Sequence, residues 1–515
     1  MTSQAPLHQR YRTLVEQIER DFAVALWRSG DIDLWPMARM DLFLDMFRSE
    51  GGDTSTPQAS LLARTLVSLA TPVTNLWKSR TDLHHWRPWP KRAYAVMLGD
   101  GVSLDRIDGY WQDRYSEPLI AILERQGLGT FLMQSGGPNR LPWRRPTFTA
   151  NTLSVWGALM ASLGPEPTLD LPDFEPVMAF LRQSGVGAPS LSRTRLARRV
   201  KVAGAIAAAF QRILRVAKPK LAFVVTYYAG LGHAFALACR REHVLCVDLQ
   251  HCPQDGTHKA YSWRSLPTRG YSTMPALFWT WTRADAVHIK GWTKTLEMPW
   301  HQAVHGGHTQ LASFLDAASP NVQAWDQRFD AMSRGTSFER EILVALQPIG
   351  GKRKQWDMLA AEIQKSPPRW RWWIRRHPSA TPAQDREYST LLALRQSNVV
   401  IDAAAAFPLP ALLRRMTAVV SLMSGAAGEA AALGVPAFFL DPEAAGPFSS
   451  LIERGDARLI EIADLLAVIG EKKAPPHARA TRAPPLEETL LRLSRMADAY
   501  TSLAGTSSES LPSST

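Results

Sequence analysis

Val419-Val420-Ser421-Leu422-Met423-Ser424-Gly425-Ala426-Ala427-Gly428-Glu429-Ala430-Ala431-Ala432-Leu433-Gly434-Val435-Pro436-Ala437-Phe438-Phe439-Leu440 is the stretch that decides how the chain is read. An apolar run closes at Ser424, a short Ala-rich segment follows, Gly434 and Pro436 stop it, and a second apolar run begins. That order spells strand, helix, strand, the βαβ unit from which parallel sheets are built. Ser424 is a good N-cap, and the bare N–H groups and positive dipole end behind it suit a phosphate. A capping box needs an acid three residues after the serine, whereas Glu429 lies five after it. Glu429 is instead one turn beyond Gly425 on the same helix face, where a backbone without a side chain lets a ligand approach. The same residues also describe an ordinary crossover whose serine only caps and whose glutamate only meets solvent.

Working outward, the flanking segments extend a second α/β domain. A strand over 342–346 leads to Gln347-Pro348, one over 370–376 delivers His377-Pro378, another covers 399–401, and 452–469 has helical period. Gln347, Arg375, His377, Ser424, Gly425 and Glu429 therefore fall at or just beyond strand carboxyl ends, where open α/β sheets bind ligands. A histidine before proline is held by the fixed φ of the ring and can donate to a phosphate oxygen.

Upstream, a first α/β domain opens with a strand over 94–98 that runs into Gly99-Asp100-Gly101. Asp105-Arg106 and Asp113-Arg114-Tyr115 follow on a loop or helix, where they either bind an acceptor or pair with one another at the surface, the surface being favoured. Further strands cover 221–225, 244–249 and 275–281, and helices cover 153–163 and 227–241. The basic amphipathic helix over 195–216 either packs on the sheet or lies on an anionic membrane. The strand over 244–249 ends in Gln250-His251-Cys252-Pro253-Gln254-Asp255-Gly256-Thr257-His258-Lys259-Ala260-Tyr261, which crowds ionisable groups at one strand end. Residues 303–335 read as the passage between domains. The expected division is a helical segment over 1–83, an acceptor domain over 84–310, a donor domain over 311–485, and a helix with a disordered tail over 486–515.

Composition bounds the reading. A chain of 515 residues with 45% hydrophobic and 21% charged residues is globular and too long for a single core. Cys239, Cys246 and Cys252 lack CxxC spacing, which argues against a disulfide framework or a zinc site and for a reducing cytoplasm. The first twenty residues lack the apolar core of a signal peptide, and no uninterrupted apolar run would span a bilayer. A net charge of +12 calls for an acidic partner. The basic clusters are Arg140 with Arg144-Arg145, 193–201, Lys352-Arg353-Lys354, 369–376, and Lys472-Lys473 with Arg479 and Arg482. They belong to no nucleic-acid motif, so a membrane surface or a phosphorylated substrate is favoured over nucleic acid.

Ile374-Arg375-Arg376-His377-Pro378, taken with Ser424-Gly425-Ala426-Ala427-Gly428-Glu429-Ala430 and Leu433-Gly434-Val435-Pro436, resembles the carboxyl half of GT-B glycosyltransferases. It is most similar to bacterial enzymes of surface-polysaccharide synthesis, including sialyl- and Kdo-transferases and glycerophosphate polymerases. Leu249-Gln250-His251 followed by His258 and Tyr261 resembles the Gln-His-Gly strand end of capsule-type transferases, with Cys252 standing where glycine is usual. The resemblance covers roughly 220–470. It implies an α/β, GT-B-like fold with two Rossmann-type domains facing a cleft, preceded by the helical segment. It further implies that His377, and Ser424 with Gly425, hold the nucleotide phosphate of a donor while Glu429 meets its ribose or sugar.

The implied reaction needs a base for an acceptor hydroxyl and stabilisation of the departing phosphate. His251 and Asp255 are the leading bases. Asp100 is the reserve, because Asp100-Gly101 and Asp255-Gly256 both match the Asp-Gly ending of the sialyltransferase acid motif. No carboxylate pair or DxD metal signature stands out, so neither metal nor cofactor is expected and the nucleotide sugar is the substrate. The expectation is a cytoplasmic, metal-independent glycosyltransferase extending a bacterial capsule or lipopolysaccharide glycan. Its acceptor is a glycan or lipid-linked glycan, and the anionic inner-membrane surface is a further partner. A sugar-nucleotide epimerase or glycerophosphate transferase on the same scaffold, or a non-catalytic component of a polysaccharide assembly complex, remain alternatives.

Overall fold

Leu221-Ala222-Phe223-Val224-Val225 is apolar at every position, as a strand covered on both faces must be, and it is buried throughout. The computed structural model describes residues 7–49, 91–135, 142–252, 254, 256, 258–294, 296, 300–333, 336–347, 350–377, 380, 382–471 and 483–508. Asp255, Arg140, Lys472, Lys473, Arg479, Arg482 and the connection over 84–90 lie outside them. The chain divides into one unit drawn from 1–103, 113–308 and 484–515 and another drawn from 104–112 and 309–483.

The first unit holds a parallel sheet of β1 (Ala95–Gly99), β2 (Thr130–Gln134), β3 (Thr147–Thr149), β4 (Leu221–Val225), β5 (Leu245–Leu249), β6 (Leu277–Thr280) and β7 (Gln302–His305). Across the sheet the strands run β3-β2-β1-β4-β5-β6-β7, so the order reverses between β1 and β4. That is doubly wound topology, and its reversal is where such sheets bind ligands. The helix Arg193–Ala217 buries Leu196, Val200, Ala203, Ile206, Phe210 and Leu214 at helical spacing, so its apolar face packs in the core.

The N-terminal helices Leu7–Asp21 and Trp35–Ser49 do not form a segment of their own. Tyr11, Leu14, Trp27 and Trp35 share one core with Val96, Phe131 and Phe278. Arg39 and Glu19 are buried there together, 3.0 Å apart, and Arg39 also lies over the Trp263 ring. The C-terminal helix Leu486–Ser508 belongs to this unit as well, with Lys220 paired to its Asp498 at 2.9 Å.

The second unit repeats the arrangement with β8 (Arg340–Ala345), β9 (Trp370–Arg375), β10 (Val399–Val400), β11 (Ala418–Ser421), β12 (Ala437–Phe439) and β13 (Ala457–Leu459), all parallel. Its order, β10-β9-β8-β11-β12-β13, reverses between β8 and β11. The pair of Rossmann-type units is the GT-B-like α/β class expected. Residues 104–112 leave the first unit to join this one: Ile107 enters the core with Phe314 and Phe407, and Gln310 Nε2 donates to Asp105 Oδ2 at 2.5 Å. Asp105 is thus buried, as is Asp113, and neither is the surface residue expected from sequence. Residues 303–305, expected in a connection between domains, belong to edge strand β7. Among the described residues, no helix is long and apolar enough to cross a membrane.

Candidate functional site

At the reversal of the first sheet, the residue after β1 is Asp100 and the residue after β4 is Thr226. Asp100 Oδ1 accepts from the backbone N–H of Val102 at 2.9 Å and of Ser103 at 2.7 Å. Its Oδ2 accepts from Ser103 Oγ at 2.9 Å and from Thr226 Oγ1 at 3.1 Å. Thr226 adopts φ +64°, a left-handed conformation that β-branched residues rarely take. Its hydroxyl also lies 3.5 Å from His251 Nε2, which Tyr228 Oη approaches to 3.0 Å. Carboxylate, hydroxyl, imidazole and phenol therefore meet at the ends of three adjacent strands, β1, β4 and β5.

Burial pushes the His251 imidazole below the usual histidine range, while Asp100 pulls it back up. Burial likewise holds the Tyr228 phenol in its neutral form. His258 is driven well below the usual range by burial and by the neighbouring Lys259 and His251. Tyr115 Oη donates to the His251 carbonyl at 3.1 Å, so the helix Ser116–Arg125 is tied to the same edge.

Beneath these groups is a polar brace. Gln134, the last residue of β2, donates from Nε2 to Asp113 Oδ2 at 2.7 Å and accepts the Gly101 N–H at 3.2 Å. Asp113 Oδ1 takes the N–H groups of Tyr115 and Ser116 at 3.1 and 2.7 Å, and burial lifts its pKa to about 6. Gly99 is needed there, because a Cβ at that position would overlap both Gln134 and Asp113.

The loop after β5 is secured from below. Tyr261 Oη donates to Asp248 Oδ2 at 2.7 Å, and burial raises the Asp248 carboxyl to about 8. Gln250 donates to the Cys252 carbonyl at 2.9 Å and accepts the Trp281 N–H at 2.5 Å, so it bridges the loops after β5 and β6. Cys252 Sγ rests 3.6 Å from His251 Nε2.

In the second unit, Gln347 spans the reversal between β8 and β11. Its Nε2 donates to the Met423 carbonyl and its Oε1 accepts the Met423 N–H at 2.8 Å. Arg375 turns into the fold: Nη1 donates to the carbonyls of Ala404 and Phe407, each at 2.6 Å, and Nη2 lies 4.0 Å from Asp105. Ser424 Oγ accepts the Ala426 N–H at 3.2 Å, and the helix Ala426–Ala432 starts with Gly425 at its cap position, one residue later than the sequence implies. A side chain at Gly425 would meet nothing within 4 Å, so that backbone is open. Glu429 is buried within the helix. His377 follows β9 and is half-buried, and its carbonyl accepts the Ala380 N–H at 3.0 Å.

The structure therefore joins Asp100 to His251 through Thr226 and joins Gln347 to the backbone before Ser424. Sequence reasoning missed Thr226, Tyr228 and Gln134, and expected Asp113 at the surface, where it is not. For the first two the signal was available, since Thr226-Tyr227-Tyr228 follows an all-apolar strand. Among the described residues, no group of three or more His, Cys, Asp and Glu side chains converges as metal ligands would.

No family model matches the chain, and no curated protein matches it in sequence. Among solved structures it is similar to the UDP-GlcNAc 2-epimerase of Methanocaldococcus jannaschii, at 11% identity and a TM-score of 0.45, over 78% of this chain and 99% of that one. The Neisseria meningitidis UDP-GlcNAc 2-epimerase bound to UDP-GlcNAc gives 12% and 0.45 over the same shares. The glycosyltransferase SnogD from Streptomyces nogalater gives 15% and 0.40, over 81% of this chain and 98% of that one.

Proposed function

We propose that the chain is a glycosyltransferase that moves a sugar from a nucleotide-activated donor to a growing bacterial surface glycan. The observation that carries this reading is the convergence of Asp100, Thr226, His251 and Tyr228 at the reversal edge of a doubly wound sheet. His251 is the base. Burial keeps its imidazole neutral, and the nearby Asp100 carboxylate favours the imidazolium that forms on proton transfer.

In the step itself, Nε2 takes the proton of the acceptor hydroxyl and the acceptor oxygen bonds to the anomeric carbon. The bond from that carbon to the nucleotide phosphate breaks, and its electron pair leaves on the phosphate oxygen. In the second unit, His377 and Ser424 with the open backbone at Gly425 hold that phosphate, and Glu429 meets the ribose or sugar. Gln347 and Arg375 fix the loops that carry them. The substrate is the nucleotide sugar itself, without cofactor or metal. The acceptor is a capsule or lipopolysaccharide glycan or its lipid-linked form, and the basic surface faces anionic inner-membrane lipid, not nucleic acid.

A second reading, a sugar-nucleotide epimerase, is favoured by the same Thr226 bridge. Removing a proton from one face of a sugar carbon and returning one to the other calls for two proton-transfer groups, and Asp100 and His251 share one hydroxyl. Turnover of free donor without acceptor selects the epimerase.

The test is a thermal-shift panel of CMP, CDP, UDP and GDP on the wild type, His377→Ala and Ser424→Ala. One nucleotide should stabilise the wild type and lose its effect in both variants, while His251→Ala keeps nucleotide binding and loses turnover. No stabilisation by any nucleotide, or unimpaired turnover in His251→Ala, refutes the reading.

A further inference from the structure

Lys259 differs from the other half-buried lysines. Lys201 has Glu166 at 3.0 Å, Lys220 has Asp498 at 2.9 Å, and Lys352 has Asp441 at 2.8 Å. No carboxylate among the described residues forms an ion pair with Lys259. Its ammonium instead stands 5.0 Å from the Phe43 ring centroid and 5.6 Å from that of Tyr228.

Ring faces offset part of the desolvation of a cation but supply no counter-charge. Among the described neighbours only the Cys252 sulfur, if ionised, would favour the cation, and no carboxylate does. His258 and His251 both feel the ammonium as a repulsive charge, which helps keep them neutral. Burial in turn lowers the pKa of Lys259. A compact cation thus stands at the edge where Tyr228 meets His251, with no carboxylate paired to it among the described residues.

We propose that Lys259, framed by Tyr228 and Phe43, is a binding site for an oxyanion carried by the molecule that reacts beside Asp100 and His251. The acceptor is then an acidic one, with a carboxylate or phosphate group near the hydroxyl that is glycosylated. A lysine provides a point charge with three donors on a flexible stem, so it suits a single oxyanion of either chemistry. This substrate class rests on the glycosyltransferase reading, whereas the oxyanion site itself does not.

The test uses the wild-type protein. Lys259 is acylated with an amine-selective ester, and the modification is followed by peptide mass spectrometry in glucuronate, inorganic phosphate or chloride at matched ionic strength. Severalfold slower acylation of Lys259 is expected in glucuronate or in phosphate, with exposed Lys218 unaffected. Protection by glucuronate alone identifies an acidic sugar, and protection by phosphate alone a phosphorylated acceptor. Equal rates in all three salts overturn the proposal. The nucleotide-induced thermal shift is read on the same samples. If that shift is missing while Lys259 is protected, the donor reading fails alone; if the shift is intact while Lys259 is unprotected, the oxyanion site fails alone.

Discussion

Thr226 offers a direct measure of how much the fold invests in its polar edge. A β-branched residue at φ +64° carries about 1–2 kcal/mol of backbone strain, and such strain persists where surrounding contacts hold it. Here the contact is the hydroxyl, which donates to the Asp100 carboxylate at 3.1 Å, a charge-assisted bond worth about 1.5–3 kcal/mol. Thr226→Val removes the bond and keeps the strain. Thr226→Gly removes both, at a further cost of about 0.5–1 kcal/mol from the freedom glycine gains in the unfolded chain. Both variants should be less stable than wild type, with Gly above Val by roughly 0.5–1 kcal/mol. In a domain of this size that is a melting-temperature gap of about 1–4 °C, readable by calorimetry. Turnover should be lost in both, because nothing then links Asp100 to His251, and Thr226→Ser should retain it. If Val melts at or above Gly, the residue is not strained and the reasoning fails; if Val turns over normally, the bridge plays no part in chemistry.

Asp248→Asn should flatten the alkaline side of the stability profile. The folded carboxyl holds its proton to about pH 8 whereas the unfolded one releases it near its ordinary value, so wild-type stability falls as pH rises between those values. From pH 6 to 8 the loss comes to about 2 kcal/mol, and parallel urea midpoints of wild type and variant over that range would contradict it. Gly99→Ala should cost about 2–3 kcal/mol, because the new methyl group must part Gln134 from Asp113, leaving buried polar groups unpaired. Turnover should fall with stability as the Asp100 loop shifts, and unchanged melting and activity would show that the brace is not needed.

How legible each part was follows from where its constraint originates. β4 and β11 could be read because a strand buried on both faces must be apolar throughout, a local property of composition. β13 escaped because its Arg458 and Leu459 are exposed at a sheet edge, which breaks the pattern and leaves only the helical period around it. The N-terminal helices were legible as helices, but their membership in the first core was not, since Trp27 and Trp35 reveal a long-range partner only once the chain is folded. Asp100 and His251 were legible because each follows an apolar run. Asp113 was not, because Asp113-Arg114 has the look of a surface ion pair, and only its pairing with Gln134 and the start of the next helix explains its burial. The conformation of Thr226 was also invisible, since no local propensity favours φ +64° at threonine; tertiary contacts impose it.

The two sheets share a strand order but differ at the reversal, and the difference argues for a division of labour. Beyond β1 and β4 the first unit places a carboxylate and a hydroxyl that reach an imidazole, all groups able to move a proton. Beyond β8 and β11 the second unit places a neutral amide locked to the backbone by a reciprocal pair of bonds, which is neither acid nor base at ordinary pH but can hold a loop still. That loop continues directly into Ser424 and the open backbone of Gly425. A loop held still beside a backbone that carries no side chain suits recognition of a fixed anionic group, whereas a titratable cluster suits chemistry on a hydroxyl. Exchanging Gln347 for Glu should therefore disturb binding without creating a second reactive centre. The introduced carboxylate would face the Met423 carbonyl with no proton to donate, and the loop, not the reaction, would be the first thing to give way.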